Sequence, residues 1–300
     1  MNKKQVFAVI LVILIGGYFY LNNLEKNPYE FKGNTFSYSE KRGRVDYNKI
    51  LIEENKSFNL YKLDFNTRQL VDENLRIYGL LFVPKNNEEK IPSVIFLPGG
   101  QGTKESRKTI AETIAGFGYV VLVIDQRGVG ETGGKFLDFG YDYKIFLSGE
   151  EPMQHLAVYD VLRSFDFLRE QKNIDENKIA VIGESMGGRY GIIAAAIDRR
   201  IKGVIGISTS GFHVPVNPIM DGNNYIVSID VDNYIKKITP RKLFMLHCKE
   251  DNVVPISDAE KTFSIANEPK KFKVFENCFH GYNPVMKVEM EKDLREIFES

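Results

Sequence analysis

From about residue 46 onward the apolar positions follow two alternating rhythms. Short runs rich in β-branched residues read as strands. They are "NLYKLDF" (59–65), "LRIYGLLFVP" (75–84), "SVIFLPGG" (93–100), "VVLVIDQRG" (120–128), 178–183, "KGVIGIST" (202–209), "RKLFMLHCKED" (241–251) and "KKFKVFENC" (270–278). Between them lie stretches with helical spacing. "RKTIAETIAGFGY" (107–119) is stopped by Gly118, and "MQHLAVYDVLRSFDFLREQ" (153–171) reads as amphipathic. A helix opens at Met186, and two more cover "SDAEKTFSIA" (257–266) and "PVMKVEMEKDLREIFES" (284–300). The two earliest strands suit an antiparallel pair. Strands that then alternate with helices predict a mostly parallel sheet with helices on both faces. In such sheets function gathers at the carboxyl ends of the strands.

The N-terminal pattern is different. Lys3 and Lys4 precede an uncharged stretch, 5–24, with the apolar core "VFAVILVILIGGYFYL". That length approaches the ~20 apolar residues a spanning helix needs. Tyr18 and Tyr20 fall where an aromatic belt would lie, and the lysines favour a cytoplasmic N-terminus. Residues 1–24 therefore read as a single-pass transmembrane signal anchor with the remaining chain extracytoplasmic. The rival is a cleaved signal peptide, for which no A-x-A-like site follows the apolar run. Residues 25–45 are polar with Gly and Pro and read as a tether. Residues 46–300 form the predicted catalytic domain.

Composition narrows the field. Forty basic residues balance forty acidic ones across 300 residues, so no field of one sign is available for nucleic acid. The length suits one large domain with a sizeable core.

The candidate chemistry centres on "GESMG" (183–187), a G-x-S-x-G pattern between the 178–183 strand and the helix from Met186. That context is what a nucleophile elbow requires: small residues permit a tight turn that lifts the Ser185 hydroxyl above the sheet edge. The helix N-terminus behind it offers free N–H groups and partial positive charge. A serine hydroxyl needs a base, and the base needs an orienting acid. Asp251 follows one strand and His280 follows the last, so both fall at the same edge as Ser185. Glu250 is the nearest rival for the acid, and "NVVP" after Asp251 favours the latter by turning the chain into the next helix.

The segments "LPGGQG", "DQRGVGET", "GESMGG", "CKEDNVVP" and "CFHGY" resemble, in order, the α/β-hydrolase superfamily over roughly residues 58–300. The similarity is to the broad group of dienelactone-hydrolase-like, cocaine-esterase-like and prolyl-oligopeptidase-like members. This resemblance implies an α/β-hydrolase fold with Ser185 as nucleophile, Asp251 as acid and His280 as base. It also implies an oxyanion hole from the backbone N–H of Met186 and one from the loop after the 93–97 strand. Pro98 stands where that loop often carries His. The N–H of Gly100 remains the expected donor, with Gln101 as the alternative.

Cys248 and Cys278 are the only cysteines. Each lies close to a proposed catalytic residue. The implied fold makes their strands neighbours, and an extracytoplasmic domain permits a disulfide there. Two unbridged buried thiols are the other reading. His247, Cys248, Asp251, Cys278 and His280 include metal-ligand types without close C-x-x-C spacing, so no metal site is assigned. Asp125 and Arg127 read as an ion pair holding their loop, and Glu184 as a neighbour of substrate or of Arg127. His155 reads as structural. His213 falls in the 210–238 connection, read as a short, partly apolar lid. The aromatics of 133–152 read as its opposite wall or as packing on the sheet edge.

The expected activity is hydrolysis of a carboxylic ester through a Ser-His-Asp triad, without a cofactor. Its partner is a small-molecule ester or short peptide. Peptidase, amidase, thioesterase or haloperoxidase-like activity on the same triad stays open, as does a non-catalytic membrane-tethered binding protein.

Overall fold

The computed structural model describes residues 28–68, 75–85, 90–136, 138–217 and 223–299. The membrane anchor read over 1–24 lies outside them. Among the described residues no helix is long and apolar enough to cross a membrane.

The chain opens with a hairpin of β1 (Tyr29–Lys32) and β2 (Thr35–Tyr38), then runs through β3 (Tyr47–Glu54), β4 (Phe58–Asn66), β5 (Arg76–Pro84) and β6 (Ile91–Leu97). Helix α1 (Lys108–Gly116) leads to β7 (Val120–Ile124), followed by α2 (Phe139–Leu147) and α3 (Met153–Arg169). Then come β8 (Ile174–Glu184), α4 (Met186–Ile197), β9 (Gly203–Ile207) and α5 (Asn223–Ser228). The chain ends with β10 (Lys242–Cys248), α6 (Ile256–Ile265), β11 (Lys270–Phe275) and α7 (Lys287–Phe298). A nine-stranded sheet has the order β11-β10-β9-β8-β6-β7-β5-β4-β3. Its β11-to-β7 part is parallel, and β5, β4 and β3 extend it antiparallel.

The central strands read as continuous apolar runs because both of their faces are buried. In β6, Val94 and Phe96 face one cluster with α1 and α7, while Ile95 and Leu97 face another with α3 and α4. Strands β7 and β8 divide in the same alternating way. Each large side chain withdrawn from water contributes about 1.5–3 kcal/mol.

Two expectations need correction together. The described part of the supposed tether is packed structure: Phe36 and Tyr38 are buried, and Arg42 forms ion pairs with Asp166 (2.8 Å) and Asp198 (2.6 Å). Helix α3, read as amphipathic, is accordingly buried around nearly its whole circumference. Its polar residues meet protein partners instead of water. Arg163 donates to the carbonyls of Arg42, Gly43 and Arg44, and Asp160 binds Arg127 at 2.7 Å.

Asp125 and Arg127 are not paired with each other. Asp125 accepts from buried Lys104 at 2.7 Å, and Arg127 reaches α3. The 210–238 connection is also not one lid. Tyr225, Val227, Val231, Tyr234, Ile235 and Ile238 are at most 2% exposed and belong to the core. Tyr234 Oη accepts from the Phe36 N–H and donates to the Ser228 carbonyl. Of its described residues only 210–213 line the cavity described next, and 218–222 lie outside the described residues. The 133–152 loop contains a helix, α2, which Asp138 caps by accepting from the Tyr141 N–H.

Candidate active site

Ser185 is the single residue between β8 and α4, at φ +50° and ψ −117°. A left-handed φ at a non-glycine residue costs about 1–3 kcal/mol and persists only where surrounding contacts enforce it. Here they do. The Ser185 N–H donates to the Ile207 carbonyl at 2.8 Å, and the Ser185 carbonyl accepts from the Arg189 N–H and the Thr209 hydroxyl. The motif glycines are sterically required. A Cβ on Gly183 would lie 2.4 Å from the Gly187 carbonyl oxygen, and one on Gly187 would lie 2.4 Å from that of Pro98.

The 98–102 loop lies against this turn. A Cβ on Gly99 would come within 3.4 Å of Ser185 Cβ, and one on Gly100 within 3.8 Å of Met186 Cε. The Gly102 N–H closes the loop onto the Gly99 carbonyl at 3.0 Å, with Gln101 at φ +62°. Gln126 anchors it by donating to the Pro98 carbonyl. Met186 is the first residue of α4, so its N–H has no acceptor within the helix. The two expected oxyanion donors, Met186 and Gly100, thus flank Ser185.

Asp251 and His280 meet directly. His280 Nδ1 lies 2.9 Å from both carboxylate oxygens, in reach of a shared hydrogen bond. Burial alone would raise the Asp251 carboxyl. Hydrogen bonds from the Val254 N–H, His280, the Val253 N–H and Ser208 outweigh it and hold the group below its ordinary value, ionised. The Asp251 side chain is fully buried and His280 is 24% exposed. Among the described residues no hydrogen bond joins Ser185 Oγ to His280. The two are instead connected through their supports: the Gly281 N–H donates to Ser208 Oγ at 3.0 Å, and the Tyr282 N–H to Glu184 Oε1 at 2.8 Å.

Cys248 and Cys278 form a disulfide with Cα atoms 5.3 Å apart. It joins the end of β10, three residues before Asp251, to the loop carrying His280. Among the described residues no group of His, Cys, Asp and Glu is arranged to hold a metal ion. His247 faces the Val254 carbonyl at 2.9 Å, and burial lowers its basicity. His155 is buried between Tyr29 and Ser228, far from Ser185 in the hydrogen-bond network.

A cavity of about 390 Å³ opens beside Ser185. Its walls include Arg189, Thr209, Phe212, His213 and the 253–255 turn. Phe139 of α2 packs edge-on against Phe212 at 6.3 Å, and both rings are partly exposed at the rim. Ser208 and Arg189 escaped the sequence reading, and Glu184, read as a neighbour of substrate or of Arg127, has Arg107 as its ion-pair partner while Arg127 pairs with Asp160. Glu184 also accepts the Tyr282 N–H. Ser208, at φ +49°, bridges Asp251 and Gly281. Arg189 lines the cavity.

The geometry agrees with comparisons to known proteins. Acetyl xylan esterase from Paenibacillus sp. R4 shares the fold, with a TM-score of 0.72 at 18% identity over 86% of this chain and 90% of that one. The uncharacterized protein YfhR of Escherichia coli (strain K12) is 24% identical over 198 residues, 63% of this chain and 64% of YfhR. The chain therefore spans somewhat less than two thirds of that relative. The putative hydrolase YtaP of Bacillus subtilis (strain 168) is 30% identical over 132 residues, 40% of this chain and 44% of YtaP. The model of the Dienelactone hydrolase family matches residues 77–292. That span includes Ser185, Asp251 and His280, and on it the chain belongs to the Dienelactone hydrolase family.

Proposed function

We propose that this chain is a serine hydrolase that cleaves a small carboxylic ester. The observation that carries this reading is Ser185, held at φ +50° in the wall of a cavity beside a hydrogen-bonded Asp251–His280 pair. His280 Nε2 takes the Ser185 proton as Oγ attacks the ester carbonyl. The N–H groups of Met186 and Gly100 receive the oxyanion. His280 passes the proton to the departing alcohol, leaving an acyl group on Ser185. Water then loses a proton to His280 and attacks the acyl carbon, and His280 returns that proton to Ser185 Oγ as the acyl–oxygen bond breaks and the acid leaves. Asp251 fixes the Nδ1–H tautomer and stabilises the imidazolium. The Ser185–His280 hydrogen bond forms as substrate enters, which is common for catalytic contacts.

The cavity size and its apolar rim of Phe139 and Phe212 support a small ester over a long peptide. The disulfide supports an oxidising compartment for the domain, as expected if residues 5–24 anchor it on the outer side of a membrane. A panel of p-nitrophenyl esters and matched p-nitroanilides tests the reading. Ester turnover that falls by at least about 10³-fold in Ser185→Ala and His280→Ala supports it. Equal turnover in wild type and Ser185→Ala, or preference for the anilides, overturns it.

A further inference from the structure

A collar of exposed apolar side chains gathers at the mouth of the Ser185 cavity. Phe212 and Val253 line the cavity itself, and Phe279 immediately precedes His280. Phe139, at the start of α2, packs on Phe212, and the exposed side of α2 continues through Tyr141 to Leu147. Leu147, Val253 and Phe279 are 63%, 62% and 69% exposed. One exposed hydrophobic residue needs no explanation, but several gathered at one cavity mouth mark a surface that meets something apolar. The strand β3 also exposes apolar residues, Ile50 to Ile52. It lies five strand spacings from β8, about 24 Å, and borders no residue of the site.

The start of the described chain points to what meets the collar. Phe31 of β1 packs edge-on against Phe146 of α2 at 5.1 Å. From Phe146 back to Phe139 is seven residues of helix, about 10 Å. The uncharged stretch 5–24 ends four residues before Pro28. Those four residues reach at most about 14 Å even when fully extended. With residues 5–24 as the membrane anchor, the α2 side of the domain is therefore held within that reach of the bilayer. Its polar groups suit such a position. Lys135 Nζ donates to Tyr141 Oη at 3.0 Å. A tyrosine with a lysine ammonium beside it, on an apolar surface, is a pairing that sits at the level of lipid headgroups.

We propose that this collar rests on a lipid bilayer and that the ester cleaved at Ser185 is drawn from that bilayer, its apolar chain passing between Phe139 and Phe212. The substrate class, a membrane-resident ester, rests on the hydrolase reading above, whereas the docking surface does not. The cavity of about 390 Å³ holds the ester group and a short part of the chain, and the remainder stays in the bilayer.

The chain has no tryptophan, so a single one introduced by substitution reports only its own surroundings. Phe279→Trp and Leu147→Trp in the collar are compared with Ile50→Trp on β3. The full-length proteins are reconstituted in phosphatidylcholine vesicles with plain or brominated acyl chains. Brominated lipid should remove about half or more of the emission of both collar reporters and about a tenth or less of that of Ile50→Trp, as shallow insertion of the collar requires. Unquenched collar reporters, or equal quenching of all three, overturn the proposal. A doubled mass with unquenched reporters overturns it as well, because a second copy then covers the collar. Two collar reporters keep the test if one variant fails to fold. Turnover is read separately, with p-nitrophenyl decanoate dissolved in the same vesicles and p-nitrophenyl acetate in water. The double variant Tyr141→Asp, Leu147→Asp should lower hydrolysis of the decanoate about fivefold or more and leave that of the acetate within about twofold. Equal loss on both esters, or no loss on the decanoate, overturns the membrane-drawn substrate. Quenched collar reporters in a protein that hydrolyses neither ester keep the docking surface and remove the hydrolase reading. Hydrolysis of both esters with unquenched reporters does the reverse.

Discussion

Around Ser185 the strain of a left-handed φ is contained by neighbours that leave no room for side chains, and Glu184 extends that restraint outward. Its carboxylate is 4% exposed, pairs with Arg107 and accepts the Tyr282 N–H. Glu184 thus ties the Ser185 turn to the loop carrying His280, and in the proposed mechanism it is a positioning residue. Glu184→Ala should lower kcat by on the order of 10- to 100-fold with KM changed far less, because small displacements of a base are costly. Steady-state kinetics on one ester checks this, and a purely structural role would lower thermal stability without the kcat loss. The residues legible in the sequence were those with local signatures. Gly183 to Gly187 form one contiguous motif, and Asp251 and His280 each follow a recognisable strand. Ser208 was not legible, and Glu184 was singled out with the wrong arginine, because their partners are remote in sequence. Arg107 is 77 residues from Glu184, and Gly281 is 73 from Ser208.

At the scale of elements, the strand and helix rhythm of the domain carried over closely, since both faces of the central strands are apolar. The failures fell where polar residues are buried. The 28–45 segment has the composition of a linker, yet Arg42 fills a site between Asp166 on α3 and Asp198 after α4 with no exposure of its side chain. Nothing in a polar stretch announces that its charges will be desolvated. Hydrogen bonds from Arg200 and Arg42 overcome the burial of Asp198 and hold its carboxyl down at about 2. Arg42→Ala leaves both aspartates without that cation. It should cost about 3–5 kcal/mol, as removal of one partner of a buried pair does. Urea unfolding of the variant measures the loss, and a change below about 1 kcal/mol would show the segment to be dispensable.

Across the whole molecule, Ser185, Asp251 and His280 follow three separate strands, β8, β10 and β11, at one carboxyl edge, where the disulfide joins the end of β10 to the loop carrying His280. The fold also sets a pH dependence. Burial holds His155 well below its ordinary value. The unfolded chain therefore takes up a proton near pH 6.5 that the folded chain refuses, and stability present above that pH is lost as pH falls. The slope is about 1.4 kcal/mol per pH unit for one group. His247, also lowered by burial, acts in the same sense. Asp293, raised to about 6 by burial, acts oppositely between about pH 4 and 6, so the wild-type curve mixes these effects. The difference between wild type and His155→Gln isolates one of them. Urea midpoints from pH 7 to 5 should fall less steeply in the variant, and parallel curves would mean that His155 is not titrating as described. The most direct test of the account is covalent labelling by a fluorophosphonate, with the modified peptide identified by mass spectrometry. The account predicts a single adduct on Ser185, lost in Ser185→Ala and strongly slowed in His280→Ala. An adduct on another residue, or undiminished labelling of Ser185→Ala, would contradict it.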